Sequence, residues 1–147
     1  MRRGAKQATS QLRIIGGQWR GRKLPFPDRP GLRPTGDRIR ETLFNWLGPH
    51  LHTAKCLDLF AGSGALGIEA LSRGAANCDF VDADQEAITA VGHHLNTLDA
   101  SEYSTVSCDM AERYLRQTTG TWDIVFVDPP FDARLGESTL TLLADSE

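Results

Sequence analysis

Cysteine is scarce in this 147-residue chain: Cys56, Cys78 and Cys108, with no CxxC pair among them. That argues against a disulfide-stapled secreted fold and against a zinc site, and it favours a reducing compartment. Long apolar runs are also missing. The longest, Ile124 to Val127, is far too short to span a bilayer, and the basic opening MRRGAKQATSQLRII lacks the apolar core of a signal peptide. The four histidines, His50, His52, His93 and His94, show no spacing suited to a triad or a metal, so no metal is expected. With 40% apolar and 24% charged residues the chain reads as one ordinary globular domain, soluble and cytoplasmic, with neither disorder nor membrane contact expected.

Acids are nearly absent from one end. Residues 1–40 hold 11 Lys and Arg against only Asp28 and Asp37, whereas residues 41–147 hold five bases and 17 acids. A basic arm on an acidic body is the electrostatic footprint of a polyanion partner, most simply nucleic acid.

What is present divides into three parts: a flexible basic tail over 1–11, a basic hairpin and helix over 12–50, and a strand–helix core over 51–147. In LRIIGGQWRGRKLPFP, the segments Leu12–Ile15 and Lys23–Phe26 flank a Gly-rich middle and predict a β-hairpin. Its turn gathers Trp19, Arg20 and Arg22. Thr35 predicts a helix N-cap with Asp37 in the first turn, and Ile39, Leu43, Phe44 and Leu47 form an amphipathic face that should end at Gly48-Pro49. Strands are expected over 56–60, 78–81, 105–107 and 123–127, alternating with helices over 65–73, 85–98, 111–117 and 135–143. That alternation predicts a parallel sheet with helices on both faces, an open Rossmann-like α/β architecture. The first and fourth of these strands should lie side by side, and the sequence reads as short of the last strands such a sheet carries.

Two motifs carry chemistry. Asp58-Leu-Phe-Ala-Gly62-Ser-Gly64-Ala-Leu-Gly67 is a GxGxxG between a strand and a helix, where glycines permit a tight turn and a close ligand. Asp82 ends the next strand, where a carboxylate can accept from ribose hydroxyls. Asp58 sits at the mouth of the same loop and would repel a dinucleotide's pyrophosphate but welcome an ammonium. S-adenosylmethionine, with an α-ammonium, a ribose and no phosphate, fits that charge better than a nicotinamide cofactor. The second motif is Asp128-Pro129-Pro130-Phe131, straight after the fourth strand. Prolines fix the backbone and leave carbonyls free, so Asp128 and the Pro129 carbonyl can clamp an exocyclic amine, and Phe131 offers a face for a flipped base.

Together, LRIIGGQWRGRKL, RPTGDRIRETLFNWL (Arg33–Leu47), LDLFAGSGALGIEALSRGA (Leu57–Ala75) and FVDPPF (Phe126–Phe131) resemble the bacterial 16S ribosomal RNA guanine-N2 methyltransferase family. The resemblance implies a seven-stranded sheet, S-adenosylmethionine as methyl donor and one guanine of 16S rRNA, free or in the small subunit, as the target of a monomeric enzyme. It places Asp58, Phe60, Gly62, Ser63 and Gly64 in the cofactor pocket and Asp82 on the ribose. It sets Asp109 near the adenine amine with Met110 against the ring. Asp128, Pro129, Pro130 and Phe131 would hold the guanine, and Arg13, Trp19, Arg20, Arg22, Arg33, Arg38 and Arg40 would meet RNA. Two other readings stay open at this point: an adenine-N6 methyltransferase on DNA or RNA, and a non-catalytic RNA-binding or assembly module.

Overall fold

A computed structural model describes residues 9–27 and 36–128. Arg33, the predicted cap Thr35, the Pro129-Pro130-Phe131 turn, the helix expected over 135–143 and the first eight residues of the tail lie outside the described residues.

The hairpin is present as β1 (Thr9–Arg13) and β2 (Lys23–Pro27), antiparallel, with Leu12 opposite Leu24. It begins inside the stretch expected to be flexible: residues 9–11 are strand, held by the pairing of Thr9 with Pro27 and Gln11 with Pro25. Next comes α1 (Asp37–Leu51). Its first turn carries Asp37 as expected, but the helix does not stop at Gly48-Pro49 and runs on to Leu51. Proline there removes one backbone donor on an exposed face, and the buried Leu51 side chain anchors the extra turn to the core.

The inward face of α1 also differs from the expected one. Ile39 is largely exposed, while Arg40, Phe44 and Leu51 are buried and Leu47 packs beside them. These positions follow i, i+4, i+7, i+11 spacing, so one arginine shares the core-facing stripe.

The core then alternates: β3 (Lys55–Asp58), α2 (Ala65–Ser72), β4 (Asn77–Asp82), α3 (Gln85–Thr97), β5 (Ser104–Cys108), α4 (Ala111–Gln117) and β6 (Ile124–Phe126). The four core strands are parallel in the order β5-β4-β3-β6. Cys56 faces Ile124 and Asp58 faces Phe126, so the first and fourth core strands are neighbours as the sequence predicts. Successive residues of β3 serve opposite faces. Cys56 belongs to a large core with Phe80, Phe126 and the buried residues of α1, α2 and α3, while Leu57 meets Val81, Ala111 and Leu115 of α4 on the other side. β5, the weakest strand signal in the sequence, is an edge strand of half-buried and exposed residues.

Leu12, Ile14, Leu24 and Phe26 of the hairpin belong to that same large core. The hairpin and α1 thus pack into the same core as α2 and α3. Glu69 on α2 explains how they are fastened. Its carboxylate accepts from the N–H groups of Ile15 (3.0 Å) and Gly16 (2.9 Å) and from Arg73 Nε (2.8 Å), with Arg40 Nη1 at 3.4 Å. Ser72, three residues on, accepts from the Trp19 N–H and donates to the Gly16 carbonyl.

Candidate functional site

Parallel strands end at one edge of the sheet, and the sequence places an acid at each of those ends. Asp58 closes β3, Asp82 closes β4, Asp109 follows β5 and Asp128 follows β6. Because β3 and β6 are adjacent although α2, β4, α3, β5 and α4 separate them in the chain, the edge above them is the switch point where open α/β sheets bind ligands.

The glycine loop lies across that edge and is pinned from both sides. Gly62 N–H donates to Asp82 Oδ2 at 2.8 Å, and Gly67 N–H donates to Asp58 Oδ2 at 2.9 Å. Gly64 N–H donates to the Ala61 carbonyl at 2.7 Å. These three amides are thus consumed inside the protein, between two carboxylates, which is the reverse of a phosphate cradle. Gly64, the residue before α2, has a left-handed φ of 84° and brings no capping side chain. Asp58 supplies the cap from the strand instead, reaching the third residue of the helix. Gly67 is needed for a different reason: a Cβ there would stand 2.3 Å from the ring of Phe80, so α2 could not lie this close to β4 with any larger residue.

Asp58 is 1% exposed, and burial pushes its carboxyl up to about 7, partly offset by the Gly67 N–H and reinforced by the charges of Asp128 and Asp82. The carboxyls at the ends of β3, β4 and β6 thus sense one another. Asp82 is half-buried, and its second oxygen accepts from the Asp84 N–H at 2.8 Å. Ser63 is buried, and Phe60 packs against the Leu57–Leu59–Val81 cluster. Asp109 donates its N–H to the Asp82 carbonyl and accepts from the Met110 N–H, with Arg113 at 3.8 Å. Met110 is largely exposed at the start of α4. Asp128 is exposed.

The residues expected to meet RNA divide. Arg13, Arg20, Arg22 and Arg38 are exposed on the hairpin and the start of α1, with Arg13 3.8 Å from Asp37. Trp19 is partly buried against the large core, so its ring also anchors the hairpin turn. Arg40 is a correction: it is 1% exposed, and its guanidinium meets Asp37 at 2.7 Å and Glu69 at 3.4 Å. It holds α1 on α2 and cannot reach a phosphate.

Glu69 was not legible as a key residue. The available signal was a lone acid inside the otherwise apolar ALGIEALS, a position that requires a buried partner.

Residues 12–147 match the family model described as conserved hypothetical protein 95. Ribosomal RNA small subunit methyltransferase D of Escherichia coli is 52% identical over 99% of this chain and 73% of its own length. Its Haemophilus influenzae namesake is 46% identical over 95% of this chain and 74% of its own length. Among solved structures, the candidate methyltransferase yhhF of Escherichia coli superposes with a TM-score of 0.85 at 54% identity, covering 92% of this chain and 74% of that one. On those matches the chain belongs to the ribosomal RNA small subunit methyltransferase D family, the family described as conserved hypothetical protein 95.

Proposed function

We propose that this chain methylates small-subunit ribosomal RNA from S-adenosylmethionine, at the exocyclic N2 of one guanine in 16S rRNA. The observation that carries the reading is the glycine loop held between Asp58 and Asp82 at the β3–β6 switch point, with Asp128 at the end of the neighbouring strand. The acid-flanked loop fits a cofactor with an ammonium and ribose hydroxyls and no phosphate. The rRNA target rests on the family membership and on the exposed cations of the hairpin.

When bound, the cofactor supplies an electrophilic methyl on a sulfonium. The chain's own residues bind and orient. Asp82 offers its remaining lone pairs to the ribose hydroxyls, and Phe60, Gly62, Ser63 and Gly64 form the walls of the pocket. Asp109 and Met110 sit where the adenine amine and ring would lie. Asp58 holds the loop shut from beneath and, once ionised above about pH 7, adds negative potential on the ammonium side. Asp128 accepts a hydrogen bond from the target amine, orients its nitrogen and stabilises positive charge growing there. Pro129, Pro130 and Phe131 complete the clamp in this proposal. Arg13, Arg20, Arg22, Arg33 and Arg38 draw in the RNA backbone.

The decisive assay is transfer from labelled S-adenosylmethionine to unmodified 16S rRNA and to small subunits, followed by digestion to nucleosides. N2-methylguanosine at one position is expected. Label in N6-methyladenosine would replace the guanine reading with an adenine-N6 enzyme. Bound cofactor without any transfer would leave an RNA-binding module.

A further inference from the structure

The hairpin carries cations and no acid: Arg13, Arg20, Arg22 and Lys23 lie within residues 9–27, where neither Asp nor Glu occurs. Two of these cations face each other. The β1–β2 register sets Arg13 opposite Lys23, and because the neighbouring Leu12 and Leu24 are buried, both cations stand on the outer face, exposed. The pair also has the closer of the two antiparallel geometries. The Ile14 N–H donates to the Arg22 carbonyl at 2.9 Å, so Ile14 and Arg22 are a hydrogen-bonded pair. Arg13 and Lys23, one step along, are then a non-hydrogen-bonded pair, in which side chains approach most nearly.

Like charges directly opposed across two strands destabilise them. The protein does little to relieve this pair. Asp37 lies 3.8 Å from Arg13 but is engaged at 2.7 Å by Arg40, and among the described residues no carboxylate stands within ion-pair distance of Lys23. The turn that joins the two strands is fastened to α2, with the N–H groups of Ile15 and Gly16 on Glu69 and those of Gln18 and Trp19 on Ser72. The two cations are thus held together on a fixed backbone with no internal anion between them.

We infer that Arg13 and Lys23 form a shared seat for one phosphodiester of the RNA backbone. The inference rests on the rRNA reading above and adds Lys23 to it. A phosphodiester carries one negative charge on two unesterified oxygens, one for each cation, so its arrival turns the repulsion into two charge-assisted hydrogen bonds.

The test uses the full chain, because the seat makes effects of opposite sign on the free protein and on the complex. Lys23→Gln should raise the melting temperature at low salt by about 1–2 °C, and Lys23→Glu, which pairs with Arg13, by more; both gains should fade as salt screens the pair. The same variants should bind unmodified 16S rRNA several-fold more weakly, with S-adenosylmethionine binding unchanged. Arg13→Gln with Lys23→Gln together should lower the slope of log K against log salt by about 0.7 to 0.9, the value for one phosphate. Twice that loss would give each cation its own phosphate and overturn the shared seat. A melting temperature that neither Lys23 variant raises would overturn the opposed pair. Saturable stabilisation by inorganic phosphate at matched ionic strength, lost in Lys23→Gln while the rRNA slope stays put, would make free phosphate the ligand and overturn the RNA source. Parent protein that binds rRNA with a slope the double variant leaves unmoved removes the seat alone, whereas parent protein that does not bind rRNA removes the rRNA reading and the seat with it.

Discussion

Nη1 of Arg40 stands 3.4 Å from Oε1 of Glu69 with both side chains buried, and Oε2 of the same Glu69 accepts from Arg73 at 2.8 Å. A single carboxylate thus bridges two guanidinium groups while also accepting from the N–H groups of Ile15 and Gly16. Removing it takes one partner from each guanidinium and leaves two backbone donors unsatisfied, while Arg40 keeps Asp37 at 2.7 Å. Glu69→Ala should cost about 3–5 kcal/mol in urea denaturation, the usual penalty for breaking one side of a buried pair. The double change Arg40→Met with Glu69→Leu should cost much less than the sum of the single changes. A loss below about 1 kcal/mol for Glu69→Ala would mean that this cluster does not hold the hairpin in place.

Gly17 is the tightest point of that attachment. Its φ is +80°, and a Cβ would meet the Ser72 carbonyl oxygen at 2.0 Å. Gly17→Ala should lift the hairpin turn off the end of α2, seen as loss of protection of the Gln18 and Trp19 amides in hydrogen exchange. The sheet amides should stay protected. Unchanged protection at Gln18, whose N–H donates to Ser72 at 2.8 Å, would refute the attachment.

The exposed cations on the hairpin and the buried one on α1 should separate in RNA binding. Arg20→Ala and Arg22→Ala should each reduce the slope of log K against log salt by about 0.7 to 0.9, as the loss of one phosphate contact does. Arg40→Met should leave that slope unchanged at temperatures where the protein stays folded. A slope that does not move in the Arg20 and Arg22 variants would remove the hairpin from the RNA interface.

Asp58 gives stability a defined pH dependence. Its folded carboxyl titrates at about 7 against 3.8 in a free side chain, so the folded state holds this proton more tightly than the unfolded one. The contribution is full below the lower value, declines as pH rises through the interval and is gone above about 7. Asp58→Asn can still accept from Gly67 and carries no charge. Its melting temperature should match the parent near pH 4 and exceed it at pH 8, while S-adenosylmethionine binding weakens. A parallel offset at both pH values would show that the carboxyl is not protonated in the fold.

The three thiols should react very unequally. Burial pushes Cys56 up to about 12 and Cys78 well above its ordinary value, whereas Cys108 is exposed. Iodoacetamide at pH 8 should label one site in the native protein, Cys108, and all three in denaturant. Native labelling of Cys56 would mean that the interface between β3 and β6 opens readily.

Local patterns dictated most of the scaffold. The apolar runs around Cys56, Cys78 and Ile124 become parallel strands because each must be covered on both faces, and the glycine spacing follows from the contact of Gly67 with Phe80. The acids at the strand ends were readable because strand and loop lengths alone fix them at one edge. What escaped was set by long-range contact. Arg40 looked like one more member of a basic arm, and only its register with Phe44 and Leu51 turns it inward. The turn beyond Pro49 depends on Leu51 finding the core, which no local rule expresses. In the sequence Asp58 points to a ligand, yet in the fold it accepts from the Gly67 N–H of α2, because a helix capped by glycine must take its side-chain cap from elsewhere.

Asp82 holds the Gly62 N–H on one oxygen and the Asp84 N–H on the other. Each carboxylate oxygen has two lone pairs, so both bonds can persist while a diol docks on the outward pair. The acceptor is therefore preorganised: its rotamer is frozen before any ligand arrives, and the entropy of fixing it belongs to folding and not to binding. Shortening this side chain would loosen the loop and blunt the proposed ribose recognition together, whereas an amide in its place would have to turn its NH₂ toward one of two backbone donors.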